Sequence, residues 1–282
     1  MKTIKTTALL IALISMVCTE SFCQLKTNQK MNNKEKAAAI NKAVQSTDHI
    51  AIDRLVREDY IQHTPAVPDG KKGLQGLLSK IEYHEIPALT ITNVRTFEDG
   101  EFVVLHHDVM WPNRKVMIEI FRFQDGLAAE HWSGIMEHPE KTVNGHSMVD
   151  GAVAITDKAK TEKNKILVKG FVETILINGE FDKILQYYHP DIIQHNPFID
   201  NTVDGLIRGV QELQKQGISL QIEKIHRVLG EGNFVLVLSE GKFGGKHTAF
   251  FDLFRVENYK VVEHWDVLQE VPAKIAHNNG MF

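Results

Sequence analysis

Tyr60-Ile61-Gln62-His63-Thr64-Pro65 reads again as Ile192-Ile193-Gln194-His195-Asn196-Pro197, an offset of 132 (195 − 63). Outward from it, Glu119-Ile120-Phe121-Arg122 returns as Asp252-Leu253-Phe254-Arg255 at 133 (252 − 119). Glu130-His131-Trp132-Ser133 returns as Glu263-His264-Trp265-Asp266, again at 133 (264 − 131). Pro139 to Met148 shadows Pro272 to Met281 at the same spacing. Four matches in one order at one spacing define two homologous domains in tandem, over residues 31–149 and 161–282.

Each copy opens with helices, expected over 34–44 and 50–58 in the first and over 165–177 and 181–188 in the second. After the Gln-His-Thr/Asn-Pro turn, where proline pins the backbone, Leu74, Leu77, Leu78 and Ile81 mark one face of a third helix. The rest of each copy alternates as strand, with turns at Glu98-Asp99-Gly100, Gln124-Asp125-Gly126 and Gly230-Glu231-Gly232. Helices first and hairpins after predict an α+β fold. It consists of two tandem cone-shaped domains, each with N-terminal helices packed on a curved, mainly antiparallel sheet. A cone has an interior, and such interiors hold small ligands.

The 282 residues suit two domains of ordinary size. A hydrophobic share of 43% beside 24% charged residues excludes a disordered chain. The formal charge of -4, with no basic run, leaves no electrostatic footprint for nucleic acid. Lys2 and Lys5 precede the apolar run Ala8 to Ile14, and Ser21-Phe22-Cys23 fits a cleavage site ahead of Gln24. Residues 1–23 are therefore expected to be an export signal, its apolar run too short to span a bilayer. Both cysteines, Cys18 and Cys23, fall inside it, and Met16 and Val17 are poor residues ahead of a lipid-modified Cys18. No later segment is apolar enough for a membrane, which predicts a soluble periplasmic or secreted protein without cysteine chemistry.

Period-two alternation puts Phe250, Asp252 and Phe254 on one strand face, and Met117, Glu119 and Phe121 together in the first copy. A carboxylate among bulky apolar residues is a candidate general base or acid, because burial disfavours its charged form. The alternative is a carboxylate paired with an arginine of the other domain, or one capping a loop. His264 and Asp266 share a face, as do His131 and Ser133, so Asp266 is placed to orient His264. His63 and His195 join the sets from the turn, and His106 from the strand face Phe102-Val104-His106-Asp108. The first copy thus gathers His63, His106, Glu119 and His131; the second gathers His195, Asp252, His264 and Asp266. No short metal-ligand spacing occurs among them, so no metal is assigned. Gly241-Lys242-Phe243-Gly244-Gly245 joins two strands and reads as a hairpin turn, not a phosphate loop.

The order Gln-His-Asn-Pro, Asp-x-Phe-Arg, Glu-His-Trp-Asp and Asn-Gly-Met-Phe resembles the SnoaL-like polyketide cyclase group of the nuclear transport factor 2-like superfamily. The resemblance covers both copies and is tighter in the second. It implies the cone-shaped fold and relatives such as ketosteroid isomerases, scytalone dehydratases and aldol-closing cyclases, which use a cavity carboxylate or histidine and no cofactor. By position it implies catalytic roles for Asp252, His195, His264 and Asp266, with Asn196, Phe250 and Phe254 at the ligand. In the first copy it implies Glu119, His63 and His131, with His106, Met117 and Phe121 at the ligand. That copy departs from the pattern at Thr64, Glu119 and Ser133. The expected function is a cofactor-independent cyclase, isomerase or lyase acting on a small apolar carbonyl compound; the alternative is a non-catalytic binder of hydrophobic ligands. The expected partners are that small molecule and an internal pairing of the two domains, with further homodimerisation left open.

Overall fold

The computed structural model describes residues 31–282, so the expected export signal and both cysteines lie outside the described residues. Domain 1 begins with α1 (Asn33–Ser46), whose Ala37, Ile40 and Val44 recur at helical spacing and are buried. The short α2 (His49–Leu55) follows, capped by Asp48, whose Oδ1 accepts the Ala51 N–H at 2.9 Å. The helix expected to reach Glu58 stops at Leu55, and Val56–Gln62 forms strand β1. Val56, Tyr60 and Gln62 are buried while Glu58 and Asp59 are exposed, so the stretch lies along a sheet edge. After the Gln-His-Thr-Pro turn, α3 (Gly70–Glu82) buries Leu74, Leu78 and Ile81.

Four longer strands complete the sheet: β2 (Thr90–Asp99), β3 (Phe102–Trp111), β4 (Asn113–Gln124) and β5 (Leu127–Glu137). Their order is β1-β5-β4-β3-β2, antiparallel except for β1, which runs parallel to β5 with Gln62 opposite His131. Domain 2 repeats this plan. It has α4 (Thr161–Phe171) continued by a π turn (Val172–Ile177), a 3-10 turn (Phe181–Gln186), β6 (Tyr188–Gln194) and α5 (Thr202–Lys215). Its hairpin strands are β7 (Leu220–Glu231), β8 (Phe234–Phe243), β9 (Lys246–Glu257) and β10 (Lys260–Glu270), ordered β6-β10-β9-β8-β7. Gly244 and Gly245 both take positive φ (58° and 80°) and close the β8–β9 hairpin as the sequence predicts.

Each sheet has two occupied faces. In domain 1, Val103, Leu105, Phe121 and Phe123 pack under the helices with Ile40, Val44 and Leu78. The opposite face presents Val104, Ile118, Ile120 and Trp132, which join Leu236, Phe251, Leu253 and Trp265 of domain 2 in one core. Gly134 lets the sheets approach here, since a Cβ on it would lie 2.5 Å from Phe251 Cδ2. The C-terminal tail of each domain crosses to the other: Ala276 N–H donates to the Pro65 carbonyl at 2.8 Å, and Val143 N–H to the Pro197 carbonyl at 3.0 Å. Among the described residues no helix is long and apolar enough to cross a membrane.

Candidate active site

Between the helices and the sheet of domain 1 lies a cavity of about 500 Å³, walled by apolar residues such as Leu77, Ile86, Trp111, Met117, Phe121 and Ile135. That volume falls in the usual range for small-molecule sites. Glu119 and His131, both buried, stand on the sheet side of its wall, with Asn41 from α1, Gln62 from the end of β1 and Thr64 from the turn after it.

Three side-chain nitrogens surround the Glu119 carboxyl. Asn41 Nδ2 donates to Oε2 at 2.7 Å, His107 Nε2 lies 3.0 Å from the same oxygen, and His131 Nε2 lies 3.3 Å from Oε1. Gln62 determines what His131 can do. Its Oε1 already accepts the Thr64 N–H at 2.9 Å, which fixes the amide with oxygen toward the turn. His131 Nδ1, 3.0 Å from that oxygen, must therefore carry a proton. The remaining ring nitrogen, Nε2, shares any second proton with Glu119. Burial alone would raise the Glu119 pKa, but hydrogen bonds from His107 and His131 outweigh it and hold the carboxyl well below its ordinary range. Oε1, with one long hydrogen bond, keeps acceptor capacity for a ligand.

Domain 2 carries a different constellation at the same place. His264 Nε2 lies 3.2 Å from Asp252 Oδ1, and its Nδ1 lies 2.9 Å from Gln194 Oε1. Asn196 Nδ2 donates to Asp266 Oδ2 at 2.7 Å, where domain 1 pairs Thr64 Oγ1 with Ser133 Oγ at 2.6 Å. The departures at Thr64 and Ser133 are thus one exchanged contact pair. The donors around Glu119 are missing: Val172 stands in the place of Asn41, and Ser239, opposite Phe250 as His107 is opposite Met117, replaces the imidazole. Burial, reinforced by Asp252, pushes the Asp266 carboxyl up. For His264, burial would lower the pKa, but the Asp252 hydrogen bond and the Asp266 charge leave it raised. Asp252, His264 and Asp266 line neither the domain 1 cavity nor the groove of about 460 Å³ between Phe181, Pro190 and Ile207.

Three residues expected at the sites stand elsewhere. His63 stacks on Trp132, with ring centroids 4.7 Å apart, and its nitrogens face Glu130 Oε1 at 2.9 Å and the Gly280 carbonyl at 3.1 Å. His195 does the same on Trp265, at 4.6 Å, facing Glu263 at 3.0 Å and the Ser147 carbonyl at 2.9 Å. The histidine of the repeated turn therefore holds the tail of the opposite domain and does not face the cavity. His106 is on the interdomain face, 3.1 Å from Arg95 Nη1, and burial drives its pKa well down. The four-residue set His63, His106, Glu119 and His131 is divided between the two faces of the sheet.

Asn41, Gln62 and His107 are the residues that sequence reading missed. The β3–β4 turn at Pro112 sets the register that puts Leu105 opposite Glu119, so odd-numbered residues of β3 share the Glu119 face. Counting outward from that turn selects His107 over His106. Two groups bring potential ligand atoms within 4.8 Å, His146–Asp150–His195 and Asp252–His264–Asp266. Each is also explained by hydrogen bonds and ion pairs within the protein.

The SnoaL-like domain model matches residues 37–131 and 168–264, one match on each sheet with its helices. The chain belongs to the SnoaL-like domain family. Among solved structures, this SnoaL-like chain is similar to wild-type IdmH of Streptomyces antibioticus, described as a candidate polyketide cyclase. The two are 19% identical, with a TM-score of 0.32, over 36% of this chain and 88% of that one. A nuclear transport factor 2-like protein of Cytophaga hutchinsonii is 11% identical, at TM-score 0.34, over 39% of this chain and 95% of its own. An epoxide hydrolase of the LEH-like type from M. tuberculosis is 16% identical, at TM-score 0.32, over 36% and 81%. No curated protein matches the chain.

Proposed function

We propose that this is an exported acid–base enzyme of the cyclase, isomerase or lyase type, working on a small apolar carbonyl compound in the cavity of domain 1. The observation that carries the reading is the Glu119–His131 pair on the wall of a roomy apolar cavity, with the ring fixed by Gln62. Glu119 Oε1 takes a proton from the carbon beside the carbonyl. Once protonated, the carboxyl no longer needs the Nε2 proton of His131, which becomes free to bond the enolate oxygen. The sequence favours Asp252 as the base; the cavity favours Glu119, and Asp252 with His264 and Asp266 forms a second, more enclosed set.

A second reading, ligand binding without chemistry, draws on one observation: hydrogen bonds from its neighbours hold the Glu119 carboxyl well below its ordinary range, which makes it a weak base. One experiment separates the two. A panel of medium-chain ketones and keto esters is incubated with the protein in D₂O, and deuterium at the carbon beside the carbonyl is read by mass spectrometry. The enzyme reading expects exchange that Glu119→Gln abolishes and Asp252→Asn preserves. Binding without exchange favours the second reading, and exchange lost only in Asp252→Asn moves the chemistry to domain 2.

A further inference from the structure

The charged side chains on the domain 1 cavity wall are Glu119, Lys80 and Lys274. Glu119 is buried against His107 and His131, whereas both lysines are exposed, so the cations stand at the mouth and the carboxylate lies deep. Among the described residues neither lysine has an ion pair.

The two lysines come from different domains. Lys80 is in the last turn of α3. Lys274 is in the tail of domain 2, beyond Gln269, whose Oε1 accepts the Ile135 N–H at 2.9 Å. The tail is tied down just past it. His277 Nε2 bonds the Thr64 carbonyl at 3.1 Å, and Asn279 Nδ2 bonds the Gln62 carbonyl at 3.0 Å and Asp69 Oδ1 at 2.7 Å. Domain 2 thus carries a cation to the entrance of the domain 1 site.

The other copy supplies a contrast. Asp69 caps the Gln62 N–H as Asn201 caps the Gln194 N–H, both at 2.9 Å, which aligns α3 with α5 at an offset of 132 (201 − 69). At that offset Lys80 corresponds to Glu212, so the two helices carry opposite charges at this position. The tail lysine is common to both copies, since Lys141 stands 133 residues before Lys274 (274 − 141), so the contrast between them rests on Lys80 against Glu212.

We propose that the domain 1 site takes an amphipathic carboxylate: an apolar chain in the cavity, a carbonyl or hydroxyl at Glu119–His131, and an anionic end group between Lys80 and Lys274. This rests on the cavity being the ligand site. In a chain of net negative charge, a cationic entrance to an apolar pocket recruits anions by local field, which salt weakens. A pair of exposed cations is expected to favour the acid over a neutral ligand of equal chain length by about two- to fivefold for each lysine.

The test compares decanoate, 1-decanol and methyl decanoate by calorimetry with the full protein, below micelle-forming concentrations, at low and high NaCl. The proposal expects decanoate to bind more tightly than the two neutral probes, with the preference shrinking in salt. Lys80→Glu and Lys274→Glu should each lower the decanoate-to-decanol affinity ratio, and the double variant should invert it. Equal binding of acid and alcohol, or a ratio unmoved by both reversals, overturns the proposal while leaving the cavity reading in place. If no probe binds and the D₂O exchange panel is silent too, the cavity reading itself fails.

Discussion

Replacing Glu119 with leucine or with glutamine separates the hydrogen-bond network from mere packing. In Glu119→Gln, the amide oxygen can keep the donors Asn41 and His107, and the amide NH₂ can donate to His131 Nε2 once that ring is neutral. Every polar group retains a partner, so the cost is expected to stay within about 1 kcal/mol. Glu119→Leu fits the volume but leaves Asn41 Nδ2 and the His107 and His131 nitrogens facing hydrocarbon. Removing one partner of a buried charged network costs about 3–5 kcal/mol. With an m-value of about 3 kcal/mol/M, the urea midpoint for domain 1 should fall by roughly 1–1.7 M for leucine and barely move for glutamine. Urea titrations followed by far-UV circular dichroism at pH 7 provide the comparison. Equal stability of the two variants would show that the polar partners of Glu119 contribute nothing beyond packing, and would refute the reasoning.

Three further expectations follow from the same contacts. Gly134→Val should destabilise by about 1–3 kcal/mol, because its Cβ meets Phe251 and Val267 with no room to relax; thermal unfolding checks this. Arg95 donates to the Ala152 carbonyl at 2.7 Å and the Val149 carbonyl at 3.0 Å while lying over Trp265. Arg95→Ala should therefore cost about 3 kcal/mol and disturb the interdomain seam, read as faster proteolysis at residues 149–152. The raised His264 pKa adds stability that is present below its unfolded value and lost as pH rises through the folded one. The raised Asp266 pKa acts in the same direction from its own ordinary value of 3.8 upward, so domain 2 should weaken as pH rises, first through Asp266 and then, above 6.5, through His264. Glu119 has the opposite sign, its depressed pKa adding stability that disappears only as the medium becomes strongly acidic. Ring-proton NMR should show His264 titrating above 6.5 and His106 well below it.

The architecture was legible because repetition multiplies weak signals. Each hairpin is ambiguous alone, but the same turns and alternations at one offset fix two α+β domains. The short strands β1 and β6 were not legible as strands, since their pairing with β5 and β10 is non-local and Val56 to Gln62 has no strict alternation. The site was half legible. Strand alternation correctly joins Met117, Glu119, Phe121 and His131, but alternation alone does not say which face of β3 turns toward Glu119. Alternation with Phe102 and Val104 points to His106, whereas His107 stands beside Glu119. The repeated Gln-His-x-Pro turn carries a strong signal whose meaning is architectural: Gln62 aims His131, while His63 fastens the neighbouring tail. Sequence similarity to the family pattern favours domain 2, yet the residues that shape free volume are spread over helices with little motif character.

The most direct measurement is an amide and indole NMR map of the protein titrated with 2-decanone, a neutral probe that owes nothing to the lysines. The account predicts shifts concentrated at the Trp111 indole, Thr64, Leu77 and Ser133, with domain 2 unchanged. Shifts centred on Val237, Ser239, Phe250 and His264 would place the ligand in the other cone and contradict it.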